Sequence, residues 1–335
     1  MRTRLVVVAV VLVVTGCGED PSADKASSST GTTTPAALAT RLPEARALAD
    51  VVGTQTFDTP GDADWVLVED GIAWVANVEG GIARWDAATG KRVGTSGKGL
   101  DICTQMTVGD GSLWAADCGH DELVRVALAD GSVQARIPLP SGVREEGSLA
   151  ALPGAIYLAS RATNELFRVD TATEEVVATI PVPQGVAGLR YGFGSLWASR
   201  PDVGTLERLD PNDGTVLASL EIGTGAYFLD VTDDAVWVMS NTDSEVAKVD
   251  PARDEVVATI DVSPDAVEGG DLTVGGSKVF ARVSDVLVVV IDAATGKIEH
   301  RLGDAQGSGS ADGDDTAVWI SAHDAAKVYR VPLAP

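Results

Sequence analysis

Few side chains in this chain combine a reactive type with a suggestive spacing. Its thiols are Cys17, Cys103 and Cys118, and its imidazoles are His120, His300 and His323. His120 and His323 stand in short polar stretches, DCGHDE (117–122) and SAHDAAK (321–327). An imidazole among carboxylates can move a proton or bind a metal. His300 falls on a predicted outer strand. Arg161, Arg200 and Arg282 occupy related positions, with Arg190 close by. Guanidinium forks brought together in this way would receive a carboxylate or phosphate bidentately. The plainer reading pairs each arginine with a neighbouring acid, of which Glu145, Glu146, Asp202, Asp230 and Asp285 are at hand. If Asp110-Gly111 is the two-residue loop of a hairpin, counting outward sets Cys103 directly opposite Cys118. In an oxidising compartment the two then close a disulfide between adjacent strands. Structural zinc wants four N or S ligands, which two isolated cysteines do not offer.

Other stretches resemble sites only at first sight. GSGSADGDDT (307–316) lacks the ligand alternation and closing Glu of a calcium loop, and reads as a solvated turn ahead of the next strand. GVAGLRYGFG (185–194) and GGDLTVGG (269–276) are rich in glycine but open no helix, so they are not phosphate loops. The charge excludes more. With 25 Lys and Arg against 49 Asp and Glu, the net charge is −24, and such a surface repels nucleic acid and anionic lipid headgroups.

The elements that must position these residues come from a repeat. The aromatic anchors Trp74, Trp114, Tyr157, Trp197, Trp237, Phe280 and Trp319 follow one another at spacings of 40, 43, 40, 40, 43 and 39 residues. Before each lies a tight turn such as Asp70-Gly71 or Asp110-Gly111. About a dozen residues after most of them comes a basic–apolar–Asp run such as RWDAATGK (84–91), RVDTATEE (168–175) or KVDPARDE (248–255). Four short strands per ~40 residues is the signature of a propeller blade, which buries both faces only when stacked in a ring. The expected fold is therefore all-β: a seven-bladed β-propeller of four-stranded blades, with the anchors buried between blades. The seventh repeat stops after its third strand, and DVVGTQTFDTP (50–60) reads like the fourth strands EEVVATIPVP (174–183) and DEVVATIDVS (254–263). An N-terminal strand is thus expected to complete the last blade and remove a free edge. One mouth of the channel is then built from the loops joining second to third strands and from the segments entering each first strand. The latter bring Asp101, Arg144, Glu145, Glu146, Tyr227, Glu268 and Asp271, with Arg190, Tyr191 and Asp230 slightly further along.

Ahead of the repeats, Arg2 and Arg4 precede an apolar run, Leu5 to Val14, too short for a bilayer span and suited to a signal peptide. The run closes as Val14-Thr15-Gly16-Cys17, which resembles the lipobox of bacterial lipoproteins; that resemblance implies acylation at Cys17. Residues 1–16 are then the signal peptide. Residues 17–41 are the lipidated cysteine and a Ser/Thr/Pro-rich tether, and 42–335 are the propeller domain.

GIAWVANVEGGIARWDAATGKRV (71–93), GSLWASRPDVGTLERLDPNDGTVLASLEIG (194–223) and DAVWVMSNTDSEVAKVDPARDEVVATIDV (234–262) resemble the YVTN-type and streptogramin-lyase-like propeller repeats. The shared element is their W-V-A-N … I-D-x-x-T-G-x-V cadence. The resemblance implies the fold and leaves function open, because such repeats host many roles. Streptogramin B lyase opens a cyclic depsipeptide by elimination, with a histidine base, a glutamate and a magnesium ion near the channel mouth. Only His323 and His120 could stand for that base, and no His/Glu pair falls on neighbouring mouth loops, so the catalytic residues are not carried over. The expected function is a non-catalytic binding module on the extracytoplasmic face of the cell membrane. It would be monomeric, lipid-anchored and without a cofactor, and would meet an extracellular small molecule, glycan or protein through Arg161, Arg190, Arg200, Arg282, Tyr227 and His323. The alternatives are a lyase-like or hydrolytic enzyme using a divalent cation such as magnesium at the mouth, and a scaffold with an idle channel.

Overall fold

The computed structural model describes residues 42–59, 61–77 and 80–333. Cys17, the signal segment and the whole of the tether lie outside them. The described strands form seven four-stranded antiparallel sheets. Blades 1 to 6 run in chain order, and each strand pairs with the next. Their innermost strands are Ala63–Glu69, Thr107–Gly109, Leu149–Leu152, Leu189–Gly192, Ala226–Val231 and Asp271–Gly275. Blade 7 begins with Ala311–Gly313 and takes its outermost strand from the N-terminal side: Gln55–Asp58 pairs antiparallel with Lys327–Pro332, with Gln55 opposite Arg330. Upstream of it, Arg46 bridges to Leu302 on the edge of blade 6. The closing segment therefore spans the seam between the last two blades. Among the described residues, no helix is long and apolar enough to cross a membrane.

The repeat cadence follows from how the blades stack. All seven anchors are fully buried, at 2 % exposure or less. Across the strand pair, Trp74 faces Arg84, Trp114 faces Arg125, Trp197 faces Arg208 and Trp237 faces Lys248. These cations lie 5.5, 5.4, 5.6 and 5.2 Å from the indole centroids, within cation–π range. Three of them also reach the following blade. Arg125 pairs with Glu174 at 2.9 Å, Arg208 with Asp254 at 3.1 Å, and Lys248 donates to the Ala293 carbonyl at 2.8 Å. Arg330 closes the ring in the same way by donating to the Ala87 carbonyl at 2.7 Å. In these four blades the basic residue that follows the anchor is thus a clamp between blades. The Asp two residues on caps the next turn, as Asp86 does by accepting the Thr89 N–H at 2.8 Å. Asp70 and Gly71 both hold positive φ, 50° and 73°, the conformation a two-residue hairpin demands.

Two expectations need correction. Cys103 and Cys118 are joined as a disulfide with Cα atoms 5.8 Å apart, but they are not directly opposite. The first strand of blade 2 is only three residues long, Thr107–Gly109, and the segment before it pairs in a register shifted by two. Ile102 faces Asp117, and the Cys103 N–H bonds to the Ala116 carbonyl. The cysteines are therefore diagonal neighbours flanking that pair. Residues 307–316 are not a solvated turn throughout: Ala311–Gly313 is an innermost strand, and Ser310 is fully buried.

Candidate functional site

The residue seven places before each anchor pairs with it on the innermost strand. These are Leu67, Thr107, Ala150, Arg190, Asp230, Thr273 and Asp312. The innermost strands wall the central channel, but the channel does not run through. Trp65 of blade 1 meets Phe228 of blade 5 with ring centroids 6.2 Å apart, and Tyr227 packs on Phe228 at 4.7 Å. Blades 1 and 5 are not neighbours, so this contact crosses the channel. A polar strap crosses it too. Gln105, entering blade 2, accepts from Arg190 of blade 4 and donates to Asp271 of blade 6. Arg190 also pairs with Asp230 at 3.3 Å and donates to the Leu149 and Leu189 carbonyls. Asp271 is 1 % exposed, and its Oδ2 has no hydrogen-bond partner. Burial pushes its carboxyl up to about 7, only partly offset by Ser310, Arg190 and the Leu272 N–H.

The plug leaves two blind ends. The upper end is the predicted mouth. Glu146 sits there at φ 76°, held by its N–H to the Cys103 carbonyl and its carbonyl to the Gln105 N–H, so the disulfide-linked segment sets its place. Burial, then repulsion from Asp64, Asp271 and Glu145, lifts the Glu146 carboxyl to about 7. Burial lifts Asp64 to about 6. His323 opens a short 3-10 turn, His323–Ala325, with Nδ1 2.9 Å from Asp324 and Nε2 4.0 Å from Asp62. Burial opposes its charged form, but the Asp324 hydrogen bond and the charges of Asp64 and Asp62 outweigh it, and its pKa is raised. Burial raises Tyr227 as well, with Glu146 adding to the effect.

The lower end is a cavity of about 690 Å³ on the side of the first hairpin turns. Asp230 and Asp312 stand in its wall, and each caps the free inner edge of the next blade. Asp230 accepts the Val274 N–H at 2.8 Å, and Asp312 accepts the N–H groups of Val68 and Gly313 at 2.7 and 2.8 Å. Burial raises both carboxyls, Asp312 well above the usual range.

The four arginines are held apart by their own partners. Arg161 is exposed and pairs with Glu145 at 3.3 Å. Arg200 pairs with Glu207 and donates to the Gln184 carbonyl, both at 2.9 Å. Arg282 is fully buried and donates to backbone carbonyls that include Ser321, Val286 and Gly307. Arg190 belongs to the strap. Tyr227 and His323 are at the upper mouth, while Arg190, Tyr191 and Asp230 line the lower cavity rather than that mouth. His120 pairs with Asp117 on its own loop at 2.9 Å, and His300 lies on the outer strand Ile298–Leu302. Sequence reasoning missed Trp65, Gln105, Asp64 and Asp312. The seven-residue offset from each anchor would have found Asp312. Trp65 and Gln105, two residues earlier again, share one layer.

No protein-family model matches the chain, and no curated protein matches its sequence. Solved structures do share its fold. Virginiamycin B lyase from Staphylococcus aureus is 14 % identical, with a TM-score of 0.68, over 84 % of this chain and 99 % of that one. A streptogramin B lyase structure is similar at the same identity and TM-score over 84 % and 97 % of the two chains. The Pan2 WD40 domain of Neurospora crassa is 14 % identical, with a TM-score of 0.67, over 84 % and 94 %. At this identity the likeness shows the β-propeller fold alone and carries no activity with it.

Proposed function

We propose that this chain is a non-catalytic binding propeller of the YVTN-like group. A lipid on Cys17 holds it at the extracytoplasmic face of the membrane, where it takes an extracellular ligand at an end of its channel. One observation carries the reading: the channel is stopped across its middle by Trp65 on Phe228 and by the strap of Arg190, Gln105 and Asp271. The residues do not fit the divalent ion that a lyase-like reaction would use, since among the described residues no three His, Cys, Asp or Glu side chains converge as metal ligands. No catalytic step is therefore derived through such an ion. The disulfide supports an oxidising location.

A second reading, a lyase-like enzyme, is favoured by His323 standing near Asp62 and Asp64 at the upper mouth. Thermal unfolding against divalent cations, anionic sugars, cell-wall fragments and cyclic depsipeptides tests the two. A ligand at 100-fold its Kd adds ~2.7 kcal/mol and moves the midpoint by several degrees. A stabilising compound recovered unchanged supports the binding module. Ring opening of a depsipeptide, followed by chromatography, would replace it with the enzyme.

A further inference from the structure

We propose that the lower cavity is a binding site for an organic cation, a protonated amine or guanidinium on a short alkyl body. This rests on the binding-module reading and names both the end of the channel and the ligand class. The cavity's volume, about 690 Å³, is that of a small-molecule pocket, and the plug closes its inner end.

Its charge is one-sided. Asp230 and Asp312 stand in the wall, and Glu69, Asp70 and Asp314 stand around the opening. The one basic side chain in the lining, Arg190, is already spent on Asp230, Gln105 and two carbonyls. It has no fork left for an anion. Asp312 differs from Asp230 in having no basic partner among the described residues; it has only the backbone N–H groups of Val68 and Gly313. It is enclosed by the ring yet keeps surface open to the cavity. An enclosed carboxylate without a counter-charge is costly, so burial favours the protonated form of Asp312, and a cation arriving from solvent favours its ionised form in place of that proton. Each of its oxygens keeps a lone pair for an N–H donor.

The rest of the wall suits an alkyl stem. Leu67 and Val231 line it. A bare metal ion is disfavoured because the carboxylates sit on separate blades and do not converge.

The test uses the full chain in detergent, with agmatine and spermidine as probes and glutarate and magnesium as controls. Titration calorimetry is read beside Trp fluorescence. We expect saturable one-to-one binding of agmatine and none of glutarate. Asp312→Asn should weaken it by about tenfold, the loss of one charge-assisted hydrogen bond. Because Asp312 also ties blade 7 to blade 1, two further variants protect the test from misfolding. Glu69→Gln at the opening should weaken binding a few-fold, and Thr107→Lys, which supplies a resident ammonium, should abolish it. An acidic surface attracts cations loosely, so binding that Thr107→Lys leaves untouched would overturn the site. So would no binding of either cation at millimolar concentration. If another compound then stabilises the protein, the ligand class fails while the binding module stands. Agmatine that binds and is chemically altered would keep the site and overturn the non-catalytic reading.

Discussion

The two ends of the channel are made by the same seven blades, yet their carboxylates are held in different ways. In the lower cavity, Asp230 and Asp312 accept N–H groups from the innermost strand of the next blade. They stand on strands joined by two-residue turns, so their positions follow from the stacking itself. At the upper mouth, Asp64 stands at the start of the strand Ala63–Glu69 while Glu146 and His323 sit on connections of unequal length, and each has other acids near it. Their protons are held by burial and mutual repulsion rather than by a cationic partner. The lower end is therefore a recess whose two carboxyls are fixed in place by the stacking and raised by burial, and the upper end is a group of carboxyls that titrate close to neutrality. The plug of Trp65, Phe228 and the Gln105 strap keeps the two apart.

Removing the plug is the largest way to break this comparison. Trp65→Ala should cost about 3–5 kcal/mol in urea unfolding, as expected for truncating a buried Trp that packs against Phe228. A loss below about 1 kcal/mol would mean that Trp65 does not fill the centre of the ring. The pH response is the next effect in size. Asp271 and Glu146 titrate at about 7 and Asp64 at about 6 in the folded chain, against roughly 4 when unfolded. Between these limits the native state holds more protons, so stability falls as pH rises from 5 to 8. Asp271→Asn keeps the oxygen that accepts from Gln105, and should make this fall shallower by removing one of the raised groups. A midpoint that rises with pH would remove all three raised carboxyls from the account, and a variant slope equal to that of the parent would remove Asp271.

How much of this was legible in the residues depended on the direction along the blade. The anchors marked the period, the basic–apolar–Asp runs marked the third strands, and DVVGTQTFDTP marked the closing strand, because all of these repeat. Position along the channel axis does not repeat in the same way. Arg190, Tyr191 and Asp230 read from the residues as only slightly further along than the mouth, whereas their strands carry them past the plug into the lower cavity. The cysteine count failed for a related reason: it assumed an unbroken ladder, whereas blade 2 begins with only three paired residues and a two-residue shift. The plug was out of reach for a single sequence. Trp65 has no aromatic counterpart at the same offset in most blades, and Gln105 gains meaning only when blades 2, 4 and 6 meet across the axis.

The smallest effect is the one that sharpens the upper mouth. Arg161 is 58 % exposed and its partner Glu145 is 55 % exposed, so the pair contributes about 0.5 kcal/mol or less. Arg161→Ala should leave the unfolding midpoint almost unchanged. Its influence should be seen instead on Glu146, whose carboxyl is already raised in part by the charge of Glu145. With Arg161 gone, that charge is no longer offset, and the Glu146 titration followed by carboxyl NMR should move further up by a fraction of a pH unit. An anion-binding role for Arg161 makes a different forecast: an added dicarboxylate or phosphate would shift the parent's midpoint and not the variant's. A moved Glu146 titration with no anion response would make Arg161 a regulator of the mouth's charge. The reverse pattern would make the mouth an anion site after all.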